Sequence, residues 1–272
     1  MKIKLLFFDE QPNFGDMLNL YIPKLFGVDV EKGGPYKSDA VFIGSVMSSL
    51  LSRRRFSLRK YLYRPVKIWG AGFIEPEDDK KYLRRRVQVF ALRGKFSLER
   101  MRKYTGEVLD NVALGDPGLL ASMLVDTSKI NKKYKLGIIT HFVDAESPHL
   151  KKIDVENSIL IDILSDPVSF MEQVAQCETV ISSAMHGLIA ADSIGVPNVR
   201  MILSDKIIGG GYKFADYYSA FDIDSHKKID LRQLDIFDDA ESIKKNYKIR
   251  SEKVAKLRDA LIGCFPYKET KK

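Results

Sequence analysis

The sequence predicts an α/β protein built as two similar domains that face each other across a cleft. Three observations carry this reading. Short apolar runs alternate with stretches of helical period along most of the 272 residues. The alternation lapses at residues 125–134, which are polar and lack a period, and then restarts. Small residues, caps and a few charged side chains recur where an apolar run gives way to a helix. In an open parallel sheet that is the carboxyl edge, where ligands bind. The expected units are a first domain over residues 1–125, a second over 135–239, and a helix over 240–263 that packs back across both.

The elements follow in order. Ile3 to Phe8 is nearly continuous in apolar character, as expected of a strand buried on both faces. The loop after it carries Asn13-Phe14-Gly15-Asp16, in which Asp16 can cap a helix bearing Leu18, Leu20, Tyr21 and Leu25. Pro23 should kink or shorten that helix. Asn13 and Asp16 either shape the loop or reach a ligand from it. Ala40 to Ile43 is a second strand ending in Gly44-Ser45, and Val66 to Trp69 another ending in Gly70-Ala71-Gly72. Glycines there let a ligand or a neighbouring backbone approach closely. Neither turn has the full dinucleotide fingerprint, and the chain has no Walker A loop.

Val87, Val89 and Ala91 alternate and end at Arg93, after which Ser97 begins a helix through Tyr104, stopped by Gly106. Arg93 is thus a planar cation on a strand-to-helix turn, suited to phosphate or carboxylate. Val108 to Leu114 reads as a strand, and Asp116-Pro117 opens a short helix through Leu124. Asp116 is either its cap or a site residue between the domains.

In the second domain Leu136 to His141 and Ile159 to Ile163 are strands, and Asp166-Pro167 opens a helix to Gln176. Thr179 to Ile181 is the next strand, broken by Ser182-Ser183. Leu188, Ala191 and Ile194 then recur at helical spacing until Gly195 and Pro197, and Val199, Met201 and Leu203 begin another strand. His186 and Gly187 therefore stand at a helix N-terminus beyond the end of a strand, where backbone N–H groups and the helix dipole favour an anion. A lone histidine is otherwise a satisfied core residue. Gly209-Gly210-Gly211 beside Lys213 makes a flexible loop that either closes over an anion or is a mobile turn. Ala240 to Ile262 is one amphipathic helix, with Ile243, Tyr247, Val254, Leu257 and Leu261 broadly on one face. The tail from Lys268 to Lys272 is expected to be disordered.

Composition bounds the class. A chain 45% hydrophobic and 29% charged is that of an ordinary globular protein. It has no run of about 18 apolar residues and no signal-peptide pattern at Met1 to Asp9. Cys177 and Cys264 form no disulfide framework or metal cluster and read as buried thiols of a cytoplasmic protein. The net charge of +8 favours anionic partners. Basic residues cluster at Arg53, Arg54, Arg55, Arg59, Lys60, Arg64 and Lys67, and again at Lys80, Lys81, Arg84, Arg85 and Arg86. Leu50, Leu51, Phe56, Leu58, Tyr61, Leu62 and Tyr63 interleave with the first cluster, a mixture that suits an anionic membrane surface over residues 50–67. Such a cluster is otherwise a solvated face. Without zinc spacing or an RNA-binding signature, nucleic acid is not the expected partner.

Ser183-Ala184-Met185-His186-Gly187-Leu188-Ile189-Ala190-Ala191 followed by Gly195-Val196-Pro197 resembles the signature of the polysaccharide pyruvyl transferases. Asn13-Phe14-Gly15-Asp16 resembles that family's Asn-x-Gly-Asp, and Arg93-Gly94-Lys95-Phe96-Ser97 its Arg-Asp-x-x-Ser turn, with Gly94 in place of the aspartate. Met185 also stands where many relatives have a basic or longer polar residue. The likeness spans roughly residues 1–220, and the three motifs occur in the family's order.

The resemblance implies paired Rossmann-like domains of glycosyltransferase-B type. It also implies transfer of pyruvate from phosphoenolpyruvate to two sugar hydroxyls, forming a cyclic ketal in the making of exopolysaccharide or capsule. Neither cofactor nor metal is expected. Arg93 and Lys213, the latter matching the lysine that follows the family's Gly-Val-Pro with Lys206 second, would hold phosphate and carboxylate. His186 would be a phosphate contact or the general acid, since imidazole titrates near neutrality. Asp16 would be a base for a sugar hydroxyl. Asn13, Gly15, Ser183, Gly187 and Asp116 complete the expected substrate-binding set. The acceptor would be a lipid-linked sugar at the inner face of the cytoplasmic membrane. Three other readings stay open: a nucleotide-sugar glycosyltransferase, a non-enzymatic basic protein that docks on membranes or nucleic acid, and a family member that binds without turnover.

Overall fold

The computed structural model describes residues 1–8, 10–53, 62–76 and 81–268. Its strands are β1 (Lys2–Leu5), β2 (Asp29–Lys32), β3 (Ala40–Val41), β4 (Leu51–Ser52), β5 (Val66–Trp69), β6 (Tyr82–Leu83), β7 (Val87–Leu92) and β8 (Ala113–Leu114), then β9 (Tyr134–Ile139), β10 (Ser158–Ile161), β11 (Cys177–Ser182), β12 (Asn198–Ile202) and β13 (Lys228–Asp230). One sheet has the order β2-β1-β3-β5-β7-β8 and a second the order β10-β9-β11-β12-β13, and their paired strands are parallel throughout. The two-residue strands β4 and β6 pair antiparallel apart from both.

Parallel neighbours require crossovers, and helices supply several of them. The helices are α1 (Phe14–Tyr21), α2 (Lys95–Thr105), α3 (Pro167–Ala175), α4 (Met185–Ser193) and α5 (Tyr212–Ser219), followed by α6 (Glu241–Asn246) and α7 (Ser251–Gly263). Pro23 acts as expected: α1 stops at Tyr21, and a short 3-10 turn runs Pro23–Phe26.

One apolar core joins the two sheets. Phe14 of α1 stacks on Phe170 of α3 at 4.3 Å, and the Phe14 N–H donates to the carbonyl of Ile163 at 2.7 Å. α1 also touches α4, so the loop that opens α1 is pressed against the turn that opens α4. The chain returns to the first sheet at its end. α7 packs on β8, Trp69 donates its indole N–H to Leu261 at 2.9 Å, and Phe265 packs among Phe26, Phe42 and Trp69.

Several expectations are corrected. β1 is not buried on both faces: Lys2 and Lys4 are exposed and pair with Glu31 on β2, leaving Ile3 and Leu5 to face the core. Asn13, rather than Asp16, caps α1, its side-chain oxygen accepting from the N–H groups of Gly15 and Asp16. The strand expected over Val108 to Leu114 shrinks to Ala113–Leu114, because Val108 is 79% exposed and has no core to join. The helix expected over Ala240 to Ile262 is two. At Tyr247 the backbone turns extended, and its hydroxyl donates to the buried Asp192 at 2.8 Å, a contact a continuous helix does not provide for.

The basic, apolar stretch is corrected in part. Leu50 and Leu51 are core residues, 2% and 3% exposed, and cannot face a membrane. Arg85 is buried, donating to the carbonyls of Ser38 and Arg64, and Lys67 lies over the Tyr267 ring. Residues 54–61 and Lys80 of the two clusters, and 269–272 of the tail, lie outside the described residues. Cys177 is a buried thiol, its pKa pushed up to about 12 by burial, whereas Cys264 is only partly buried.

Candidate active site

A cavity of about 390 Å³, within the range of small-ligand sites, opens between the two sheets at their carboxyl edges. The first half lines it with Phe8, Asn13, Asp16, Ser45 and Ile74, and the second with His141, Phe142, Met185, His186, Lys206 and Lys213.

The Asn13-Phe14-Gly15-Asp16 loop builds one wall. Asn13 caps α1 and donates from its amide to the Asp16 carboxylate at 2.5 Å, which fixes Asp16 beside the cavity. Phe14 anchors the loop in the core. Gly15 is expected as a ligand contact, but the structure gives it another task. A Cβ at position 15 would fall 1.9 Å from His186 Nδ1, so the bare glycine is what admits the imidazole.

His186 comes from the opposite wall, in the first turn of α4, as the sequence places it. Its Nε2 faces Asp116 Oδ2 at 3.8 Å, and neither atom makes a hydrogen bond among the described residues. Asp116 is fully buried, and its other oxygen caps the turn Pro117–Leu124 by accepting from Gly118 N–H at 2.9 Å. It is thus both a cap and a carboxylate aimed at the imidazole. A slight closure would bring the two into a hydrogen-bonded Asp–His pair that orients the ring.

Lys213 is on the first turn of α5 rather than in a loop, because the glycine run ends one residue before that helix begins. Its ammonium is nearly buried. Burial first, then the Arg93 and Arg200 charges, bring its pKa down to about 8, opposed by Asp16. Part of the population is therefore neutral just above physiological pH, and an anion in the cavity would favour the charged form.

Arg93 departs furthest from expectation. Its side chain is fully buried and does not line the cavity. Nε donates to Asp216 at 2.9 Å, Nη1 to Ser45 Oγ at 2.6 Å, and Nη2 to the Phe73 carbonyl at 2.5 Å and to Asp216. Gly72 leaves the space it fills, since a Cβ there would sit 2.4 Å from its guanidinium carbon. Its fork is directed to protein, and it reaches the cavity only through Ser45. Ser183 and Gly187 are likewise behind the wall. Ser183 Oγ accepts from the His141 N–H at 2.8 Å, and a Cβ at Gly187 would meet Ser182 Oγ at 2.5 Å.

His141 is the residue that sequence reasoning missed. It ends the stretch predicted as the second domain's first strand, at the same sheet edge as the other candidates. Its Nδ1 accepts from Val143 N–H at 3.4 Å, which leaves Nε2 as the N–H nitrogen. Burial, then Lys213, lower its pKa to about 4, so it stands neutral in the cavity.

The family comparison agrees with the motifs. The family model described as Polysaccharide pyruvyl transferase matches residues 3–206, more than half of the chain. An uncharacterized protein of Acanthamoeba polyphaga mimivirus is 29% identical over an alignment of 241 residues that covers 84% of this chain and 78% of that protein. Among solved structures, a functionally uncharacterized Klebsiella pneumoniae protein aligns with a TM-score of 0.46 at 12% identity, over 79% of this chain and 87% of its own.

Proposed function

The chain belongs to the polysaccharide pyruvyl transferase family, and on that premise we propose that it moves the pyruvyl group of phosphoenolpyruvate onto two hydroxyls of a sugar in a surface-polysaccharide precursor, releasing phosphate. The supporting observation is the meeting of Asp16 from one half with His186 and Lys213 from the other in one cavity. On this reading the two sheets are two Rossmann-like domains of glycosyltransferase-B type, with the donor held between them.

The chemistry assigns a task to each group. Protonation of the enol carbon by His186 uses the C=C electron pair and leaves the adjacent carbon electrophilic. A sugar hydroxyl adds there and gives its proton to Asp16. The C–O bond to phosphate then breaks with its electron pair on the phosphate, and the second hydroxyl adds to the same carbon. The protons balance: one hydroxyl proton replaces the one delivered to the methyl carbon, and the other leaves with phosphate. Lys213, itself nearly buried, stabilises the phosphate and carboxylate electrostatically. His141 donates from neutral Nε2. Arg93 acts from behind the wall by orienting Ser45. Phe8, Ile74, Phe142 and Ile208 give the cavity an apolar side that suits an acceptor carrying a lipid.

Thermal unfolding with phosphoenolpyruvate, set beside uridine diphosphate, tests the donor. At 100 times its dissociation constant the true donor adds about 2.7 kcal/mol. Stabilisation by phosphoenolpyruvate alone is expected. Stabilisation by the nucleotide alone would move the assignment to glycosyl transfer.

A further inference from the structure

We propose that Asp216 is a positioning residue for Lys213, and that the missing side chain at Gly94 is what lets it act. Lys213's task rests on the pyruvyl-transfer reading; the positioning itself rests on packing.

α2 starts without a cap of its own. Its N-cap is Gly94, which has no side chain to accept from the first N–H groups. Two side chains of α5 do this instead. Asp216 Oδ1 accepts from the Ser97 N–H at 2.9 Å, and Ser219 Oγ accepts from the Lys95 N–H at 2.8 Å. Asp216 Oδ2 also accepts from Ser97 Oγ at 2.6 Å and takes the Arg93 ion pair at 2.9 Å. One fully buried carboxylate from the second half thus caps a helix of the first half and neutralises its buried arginine.

This docking requires glycine at position 94. A Cβ there would lie 1.7 Å from the Asp216 carbonyl oxygen and 2.6 Å from Ser219 Oγ. The resembled family motif has an aspartate at this position. The carboxylate that serves this turn comes from α5, and the residue following Arg93 has no side chain to obstruct it.

Lys213 lies three residues before Asp216 on α5, so the two share a face. Fixing Asp216 fixes the rotation of this two-turn helix and the direction of the ammonium. The charged and titratable groups that face Lys213 are Arg93 just after β7, Arg200 from β12, Asp16 from α1 and His141 beyond β9, with His186 and Lys206 lining the same cavity. Asp216 pairs with Arg93, the cation that bears most strongly on Lys213.

The test reads Lys213 without any substrate, so its outcome is independent of the donor's identity. The pH dependence of amine acylation at Lys213 would be followed by peptide mass spectrometry with acetic anhydride. In the wild type the midpoint is expected near pH 8. Asp216→Asn leaves Arg93 unneutralised and should lower that midpoint by about half a unit or more. Gly94→Ala keeps Arg93, Asp216 and Lys213 but pushes α5 away, and should raise the midpoint toward that of an exposed lysine. Opposite shifts separate positioning from a general loss of structure. If Asp216→Asn does not fold, Gly94→Ala decides. An unchanged midpoint in the folded Gly94→Ala protein, or in both variants, overturns the proposal.

Discussion

Two turns of this molecule share a design and differ in outcome. After β7 the chain enters α2 with Arg93 at the turn, and after β11 it enters α4 with His186 just inside the helix. Both lie at the carboxyl edge of a parallel sheet, where polar groups are free to meet a ligand. Yet the arginine is sealed under α5 and paired with Asp216, while the histidine lines the cavity with the Asp116 carboxylate 3.8 Å away. The turn decides where a functional group emerges. What packs over the turn decides whether that group is committed to the fold or available for chemistry.

The largest expected effect breaks the sealed turn. Arg93→Ala leaves Asp216 buried without its cation and should cost about 3–5 kcal/mol in urea denaturation. His186→Ala should leave stability nearly unchanged but lower turnover by about 10²-fold or more, if the imidazole carries the proton. A milder loss would return His186 to a contact role.

Lys213→Met sharpens the comparison from the cavity side. Its ammonium is held against its preference, with a folded pKa of about 8 against an ordinary 10.5. A lysine with a lowered folded pKa binds fewer protons folded than unfolded across that interval. Its burden on the fold is therefore full below about pH 8 and fades as pH rises toward 10.5. The variant should be about 1–3 kcal/mol more stable at pH 7, with the gain shrinking through that window, while losing anion affinity. Equal stability at pH 7 and pH 10 would contradict this. Gly15→Ala should displace the His186 ring and cost about 1–2 kcal/mol together with activity. Asn13→Ala, the smallest change, removes a helix cap worth about 1 kcal/mol.

Much of this was legible in the sequence because it is local. The turn at His186, the Asn13 to Asp16 loop, the break at Pro23 and the Asp166 cap of α3 are each set by residues within a few positions. What was not legible depends on partners far along the chain. Asp216 lies 123 residues from Arg93, and no local pattern shows that they meet. Tyr247 lies 55 residues from Asp192, and that bond ends a helix which periodicity alone would continue. His141 carried a local signal, its place at the end of a strand, that went unused. Gly15 read as a ligand contact and Gly72 as room for a ligand or a neighbouring backbone; the spaces they leave are occupied by the His186 and Arg93 side chains.

The most direct test of the account is calorimetric titration of phosphoenolpyruvate into the wild type, Lys213→Met and Lys253→Gln. Lys253 pairs with Asp222 on the surface and serves as a control of equal charge change. The account predicts saturable binding to the wild type, unchanged by the surface variant and weakened about tenfold or more by Lys213→Met. Absence of binding to the wild type, or equal affinity in Lys213→Met, would contradict the placement of the donor in this cavity.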